Sequence, residues 1–159
     1  MAGLARLVFC AITLFLAPSS SALGTEECRW VTGTAFAVCI PERAVFETRD
    51  DSGLDFLVHS LSGAGLPEIT IYEGNHPEAL PRLEGALVGR ARIGSVRAQK
   101  HSYESAGAKV VFLRVRISRK GWPQYVQLSV VTRTIDEASA VERVLKTFRR
   151  SPIAGAPTA

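Results

Sequence analysis

The segment "YEGNHPE", residues 72–78, brings together side chains that could do chemistry. Glu73, His76 and Glu78 lie within six positions of one another in a predicted turn. Carboxylates and neutral imidazoles are zinc ligands, and the same groups can act as a general acid and base. A metal site usually takes a further ligand from a distant segment, and His101 is available for that role. One hypothesis is therefore a small metal-dependent or hydrolytic enzyme centred on the Glu73/His76 loop; the simpler interpretation is a polar turn.

Motifs of the common catalytic classes are absent from the chain. It contains no G-x-S-x-G nucleophile elbow, no P-loop and no G-x-G-x-x-G motif. His59 alternates with Leu57 and Leu61 in a predicted strand, which is typical of a core or edge histidine with satisfied hydrogen bonds. The leading expectation is therefore a protein without catalytic residues, metal ligands or a cofactor.

Arginines recur at alternate positions in two predicted strands. Arg90 and Arg92 share one strand face, and so do Arg114 and Arg116, because side chains two positions apart point the same way. If these strands were adjacent, they would form a basic stripe for an acidic protein, an anionic glycan or a lipid headgroup. The alternative is a solvated face whose arginines pair with acidic residues of the same chain.

Charge is divided unevenly along the sequence. Residues 23–81 contain ten acidic and three basic residues, whereas residues 82–159 contain five acidic and fifteen basic residues. Such a division can indicate a polyanion partner, but two halves that face each other in one fold are the favoured interpretation. A nucleic-acid partner is not expected, because aromatic residues are not interleaved with the basic ones. Trp122, at a predicted hairpin tip, is a further candidate contact unless it packs against its own turn.

Cys28 and Cys39 are predicted to form a disulfide bond. An extended chain of eleven steps spans roughly 36 Å, whereas bonded cysteines need Cα atoms about 4.4–6.8 Å apart, so the chain must reverse between them. A two-residue turn at Gly33-Thr34 would place the two cysteines directly opposite each other. One long strand over residues 30–40, with Cys28 reaching it from a separate turn, would also allow the bond.

The first residues are typical of a secretory signal peptide. Residues 1–22 combine an early arginine, an eleven-residue apolar run and small residues before an expected cleavage between Ala22 and Leu23. Eleven apolar residues reach only about 16 Å as a helix, against a bilayer core of roughly 30 Å. We therefore expect a periplasmic or secreted protein with no transmembrane helix after processing, in a compartment where Cys28 and Cys39 oxidise.

The elements that must position these residues follow from hydrophobic periodicity. Alternating apolar residues predict strands in five runs, the third with a break near Gly94: 54–61, 68–74, 86–103, 109–118 and 124–134. A helical spacing then follows a T-x-x-E capping box formed by Thr134 and Glu137, and the basic residues after it suit the last turn of a helix.

The predicted fold class is α+β, an antiparallel β-sheet of five to seven strands packed against a C-terminal amphipathic helix. Residues 23–151 would form a single secreted domain, followed by a flexible tail at 152–159.

The order of elements resembles the PsbP/Mog1-type α/β sandwiches. The resemblance is carried by a first strand ending in Ile40-Pro41, by "ITIYEGNHP" at 69–77 and by a closing helix ending in "LKTFRRS" at 145–151. That fold has no shared active site, and its members are mostly accessory or binding proteins. The resemblance thus implies a non-catalytic binding or accessory protein that recognises a protein partner. A peripheral binder of anionic envelope surfaces, making weak contacts through the arginines, is a further alternative to the enzyme hypothesis.

Overall fold

The computed structural model describes residues 27–49, 55–80 and 83–151. The predicted signal peptide and the predicted tail at 152–159 lie outside the described residues. Within the described ranges the chain forms one helix, α1 (Ile135–Lys146), and ten strands. The strands are β1 (Cys28–Thr32), β2 (Phe36–Pro41), β3 (Val45–Arg49), β4 (Phe56–Gly63), β5 (Leu66–Gly74), β6 (Leu87–Ile93), β7 (Val96–Ser105), β8 (Ala108–Arg116), β9 (Tyr125–Thr132) and β10 (Arg149–Arg150).

The strands form two antiparallel sheets. The larger has seven strands in the order β3-β4-β5-β9-β8-β7-β6, and the smaller has the order β1-β2-β10. The α+β class is confirmed, but the ten strands exceed the predicted five to seven. The five predicted runs correspond to β4, β5, β6 with β7, β8 and β9, and the surplus comes mainly from the small sheet and from β3.

The break predicted near Gly94 separates β6 from β7. Gly94 has a φ of 51°, in the left-handed region that favours glycine. A Cβ atom at this position would also collide with the backbone carbonyl of Phe148, the residue that leads into β10. Both constraints explain a glycine at this turn.

One face of the seven-stranded sheet, the inner face, is packed against α1 and the small sheet. The inner-facing residues alternate along each strand as the sequence predicts. They include Leu61, Ile69, Ile71, Leu113, Val115, Val126, Leu128 and Val130, all of which are buried. From α1 the core receives Ala140, Val141 and Val144. The opposite, outer face carries no helix among the described residues.

The helix begins where the capping box predicts. The backbone N–H of Glu137 donates to Thr134 Oγ1 at 3.1 Å, and the N–H of Thr134 donates to Glu137 Oε2 at 3.4 Å. Its predicted end is wrong, because Arg149 and Arg150 form β10 and pair with Ala37 and Phe36 of β2.

Two contacts explain the early end of the helix. Thr147, just after α1, accepts a hydrogen bond at Oγ1 from the N–H of Cys39 in β2, at 2.8 Å. Phe148 stacks on Phe36, with ring centroids 5.8 Å apart. Both contacts hold the chain against the small sheet, where its backbone gains strand partners.

The Cys28–Cys39 disulfide is present, with the two Cα atoms 5.6 Å apart. The hairpin alternative is confirmed, since β1 and β2 pair as neighbouring strands. The predicted register is wrong, however, because Cys28 lies opposite Pro41 and Cys39 lies opposite Trp30. The bond therefore joins diagonal positions, and the turn falls one residue later than predicted.

The described part of the chain contains no helix that is both long enough and apolar enough to cross a bilayer.

We expect the disulfide to stabilise the fold by closing a short loop. Replacing both cysteines by serine should lower the free energy of unfolding by on the order of 3 kcal/mol, the chain-entropy value for a loop of about this length. Guanidinium denaturation followed by circular dichroism measures the change. Reductant should destabilise the wild type to the same extent and leave the Cys28→Ser/Cys39→Ser variant unaffected. Equal midpoints for variant and oxidised wild type would contradict the prediction.

Candidate functional site

Glu73 lies near the end of β5 on the inner face, and its side chain is fully buried. Its Oε1 accepts a hydrogen bond from the backbone N–H of Ala35 at 2.7 Å, and its Oε2 accepts one from the N–H of Thr34 at 2.9 Å. Thr34 and Ala35 form the tip of the β1–β2 hairpin, where the Gly33 N–H donates to the carbonyl of Phe36. The Glu73 carboxylate therefore links the small sheet to the large one through two hydrogen bonds.

His59 of β4 completes the buried polar network. Its Nε2 lies 2.9 Å from Glu73 Oε2, and its Nδ1 lies 2.9 Å from the hydroxyl of Thr48 on β3. An ionised carboxylate can only accept, so Nε2 carries the hydrogen in this pair. The network, defined as Thr48, His59 and Glu73, links three neighbouring strands to the hairpin tip.

Aromatic rings enclose the imidazole of His59. Phe46 stacks on it, with centroids 5.3 Å apart, and Phe36 meets it edge-on at 5.4 Å. A side chain at Gly33 would place its Cβ 2.7 Å from Glu73 Oε2 and would collide with the Phe36 ring. Glycine at position 33 is therefore required by the close approach of the hairpin to the network.

The hydroxyl, imidazole and carboxylate occur in the order found in a nucleophile–base–orienter triad. Two features oppose that function. The imidazole is only 2% exposed, between two phenyl rings, and the carboxylate already accepts hydrogen bonds from two backbone amides. A general base must lie within hydrogen-bond reach of its substrate. The geometry instead supports a structural role, and it confirms the prediction that His59 is a histidine with satisfied hydrogen bonds.

The structure does not bring Glu73, His76 and Glu78 together. Glu73 is buried in the network, whereas His76 and Glu78 are exposed, and the His76 N–H donates to the Tyr72 hydroxyl at 3.0 Å. His101 lies on the outer face beside Gln99 of the same strand. Among the described residues no three histidine, cysteine or acidic side chains are grouped closely enough to hold a metal ion.

The predicted arginine strands, β6 and β8, are not adjacent, because β7 lies between them. Their arginines nevertheless share the outer face. Arg90 lies opposite Gln99 of β7, Gln99 lies opposite Arg114, and Arg114 lies opposite Gln127 of β9. Residues that face each other across neighbouring strands project to the same side of a sheet.

A second row runs beside the first, two residues later on β6 and β8 and two residues earlier on β7 and β9, because the strands are antiparallel. It contains Arg92 of β6, which lies opposite Arg97 of β7, and Arg116 of β8. Arg97 was not predicted as a site residue, although it alternates with Gln99. Arg90, Arg97, Arg114 and Arg116 line a depression of about 710 Å³, and we call these four residues the arginine face.

Two members of the arginine face are held by neutral groups. Arg114 donates from Nε and Nη2 to Gln127 Oε1, at 2.9 and 2.7 Å, and from Nη2 to the carbonyl of Glu78. Burial lowers the pKa of the Arg114 guanidinium, yet arginine remains charged at neutral pH. The Arg116 guanidinium lies 5.9 Å from the centre of the Tyr125 ring. Neutral partners orient these side chains without cancelling their charge.

Acidic residues do not neutralise the arginine face within the described part of the chain. The ion pairs there are His59–Glu73 and Lys146–Glu142, the latter at 3.3 Å. The first lies wholly in the acidic half of the sequence and the second wholly in the basic half. The two halves of the sequence do meet in one sheet, where β5 pairs with β9. No ion pair among the described residues joins the acidic half to the basic half.

The remaining predicted contacts, Arg92 and Trp122, do not line the depression. Arg92 lies in the second row by register, but its Nε donates to the carbonyl of Gly94 at 3.3 Å. At the edge strand its side chain also borders a groove that opens on the inner side of the sheet. Trp122 donates from its indole nitrogen to the carbonyl of Asp55 at 3.1 Å and is half-buried. Its loop is thus folded back onto the start of β4.

No known protein family, no curated protein and no solved structure matches the chain. The resemblance to PsbP/Mog1-type sandwiches therefore stays a prediction.

We expect Glu73→Gln to destabilise the fold strongly. The amide keeps the shape of the side chain but removes the charge and turns one acceptor into a donor that faces backbone N–H groups. The free energy of unfolding should fall by about 1–3 kcal/mol, the usual cost of leaving a buried hydrogen-bonding group unsatisfied. Chemical denaturation measures it. Glu68→Gln, an exposed position on the same strand, is the matched control and should change stability little. Equal effects of the two substitutions would refute the structural role.

Proposed function

We propose that this protein is a non-catalytic binding protein of the periplasm or extracellular space, whose arginine face recognises an acidic surface of a protein partner. The observation that carries the proposal is a pair of arginine rows on the outer sheet face, with no carboxylate partner among the described residues. Such a surface attracts an acidic protein over distance and binds its carboxylates on contact.

The disulfide supports the proposed location. Disulfides persist in oxidising compartments and are rare in the cytosol, where thiols are kept reduced. The Cys28–Cys39 bond therefore agrees with the signal peptide predicted from residues 1–22.

The geometry of the arginines favours protein carboxylates over a lipid surface. Guanidinium groups bind carboxylates through two parallel hydrogen bonds, which requires a defined orientation. Arg114 is oriented by Gln127, and Arg116 by the Tyr125 ring. A lipid surface needs only mobile charges, for which such supports give no advantage.

The proposal is tested by reversing charge at Arg90 and Arg97, whose side chains make no hydrogen bond or ion pair with any described residue. Arg90→Glu/Arg97→Glu should reduce capture of the partner from a native periplasmic extract at least tenfold, measured by quantitative mass spectrometry with immobilised bait. Arg114 is left intact because it also holds Gln127 and the Glu78 carbonyl. Raising the ionic strength should weaken capture by the wild type, since exposed charges are screened.

Two controls separate the alternatives. Arg119→Glu/Lys120→Glu makes the same charge change in an exposed loop and should leave capture intact, as should His76→Ala, which removes the imidazole of the enzyme hypothesis. Sedimentation with phosphatidylglycerol vesicles tests the lipid alternative. If the arginine variant loses vesicle binding while its protein capture equals that of the wild type, the face binds lipid and the proposed partner class is wrong.

A further inference from the structure

A second depression lies on the inner face of the large sheet, between α1 and strands β6–β8. Its volume is about 330 Å³. The apolar side chains that line it include Ala91, Val111, Leu113 and Val130 from the sheet and Val141 and Leu145 from the helix. We call it the groove.

The groove exists because α1 covers only part of the inner face. The helix packs mainly on β5, β9 and β2. The part of the inner face that Leu87, Lys100 and Val111 form on β6, β7 and β8 is therefore incompletely covered. Leu87 begins β6 at the open end of this region and is 74% exposed, while Val111 is only half-buried. Apolar surface that would normally be covered is therefore left accessible.

Lys100 brings a positive charge into this apolar setting. It lies on β7 opposite Leu113, which places its side chain on the inner face, and it is half-buried. No described carboxylate lies within ion-pair distance of its ammonium group. An inward-pointing cation without a partner, beside an uncovered apolar floor, indicates a site for an anion that carries an apolar group.

The other charged residues around the groove strengthen that conclusion. Lys109, Lys146 and Arg92 line it together with a single acid, Glu142, whose carboxylate is already paired with Lys146. The surroundings are thus cationic, which opposes the entry of basic ligands.

We propose that the groove binds a single-chain anionic amphiphile, a fatty acid, with its chain on the apolar floor and its carboxylate on Lys100. Small-molecule sites have volumes on the order of 300–1,000 Å³, so a groove of about 330 Å³ suits one acyl chain rather than two. Removing the chain from water supplies the affinity, and the ammonium group supplies the selection for an anionic head. The groove is separate from the arginine face, which lies on the outer side of the same strands.

Isothermal titration calorimetry of the full chain with dodecanoate tests the proposal. Lys100→Met keeps an apolar stem of similar length but removes the charge, and it should weaken dodecanoate binding about tenfold or more. Dodecanol, which has the chain without the anion, should bind the wild type more weakly than dodecanoate, and Lys100→Met should abolish that preference. Lys120→Met removes a lysine of the exposed β8–β9 loop and should leave the affinity unchanged.

A steric variant checks the position of the chain. Ala91→Phe places a ring on the floor of the groove and should abolish dodecanoate binding without reducing capture of the protein partner by the arginine face. If Ala91→Phe does not fold, the dodecanoate affinities of Lys100→Met and Lys120→Met are sufficient to test the proposal. The proposal is overturned if dodecanoate binds the wild type more weakly than about 1 mM, if Lys100→Met binds it as well as the wild type, or if both lysine variants lose affinity equally.

Discussion

A single buried carboxylate forms the hydrogen-bonded link between the tip of the small sheet and the large sheet. Taking an ion out of water costs several kcal/mol unless its hydrogen-bonding capacity is filled, and Glu73 meets that requirement with two backbone amides and one imidazole. Because the amides belong to Thr34 and Ala35, the same contacts determine where the hairpin turns. The position of the hairpin turn places Phe36 against His59 and Phe148. The aromatic part of the core therefore depends on the Glu73 carboxylate.

The position of the hairpin has a consequence for the opposite side of the molecule. Hairpin and helix both lie on the inner face, which leaves the outer face of an antiparallel sheet to solvent, an arrangement such sheets tolerate. On β6–β8 that face carries rows of guanidinium groups in place of scattered polar residues. Like charges on neighbouring strands repel each other, and this repulsion opposes folding. Their presence is better explained by an anionic partner than by the stability of the isolated chain.

Local sequence patterns predicted most elements of this fold but not its long-range polar contacts. The alternation of Val126, Leu128 and Val130, the capping box of α1 and the break at Gly94 all act within a few residues. Glu73, by contrast, contacts a turn 38–39 residues earlier in the chain. No periodicity or motif in the sequence predicts that contact. The error in the hairpin register follows from it. Strand β3 was not predicted because its sequence lacks alternating apolar residues. Phe46 is half-buried, and the other four residues of the strand are exposed.

The extent of the inner face explains why a groove is left beside the helix. Seven strands about 4.8 Å apart span roughly 29 Å, whereas a helix with its side chains is about 10–12 Å wide. The hairpin covers the β3–β5 side through Glu73 and His59, and α1 covers β5 and β9. Phe148 and β10 reach the β6–β7 turn and the end of β8, where Arg150 donates to the carbonyl of Arg116. Among the described residues, the region around Lys100 and Val111 is left without full cover. The groove is therefore a consequence of the number of elements rather than of any one small side chain. Exposed apolar surface there, at about 25 cal/mol per Å², favours an occupant.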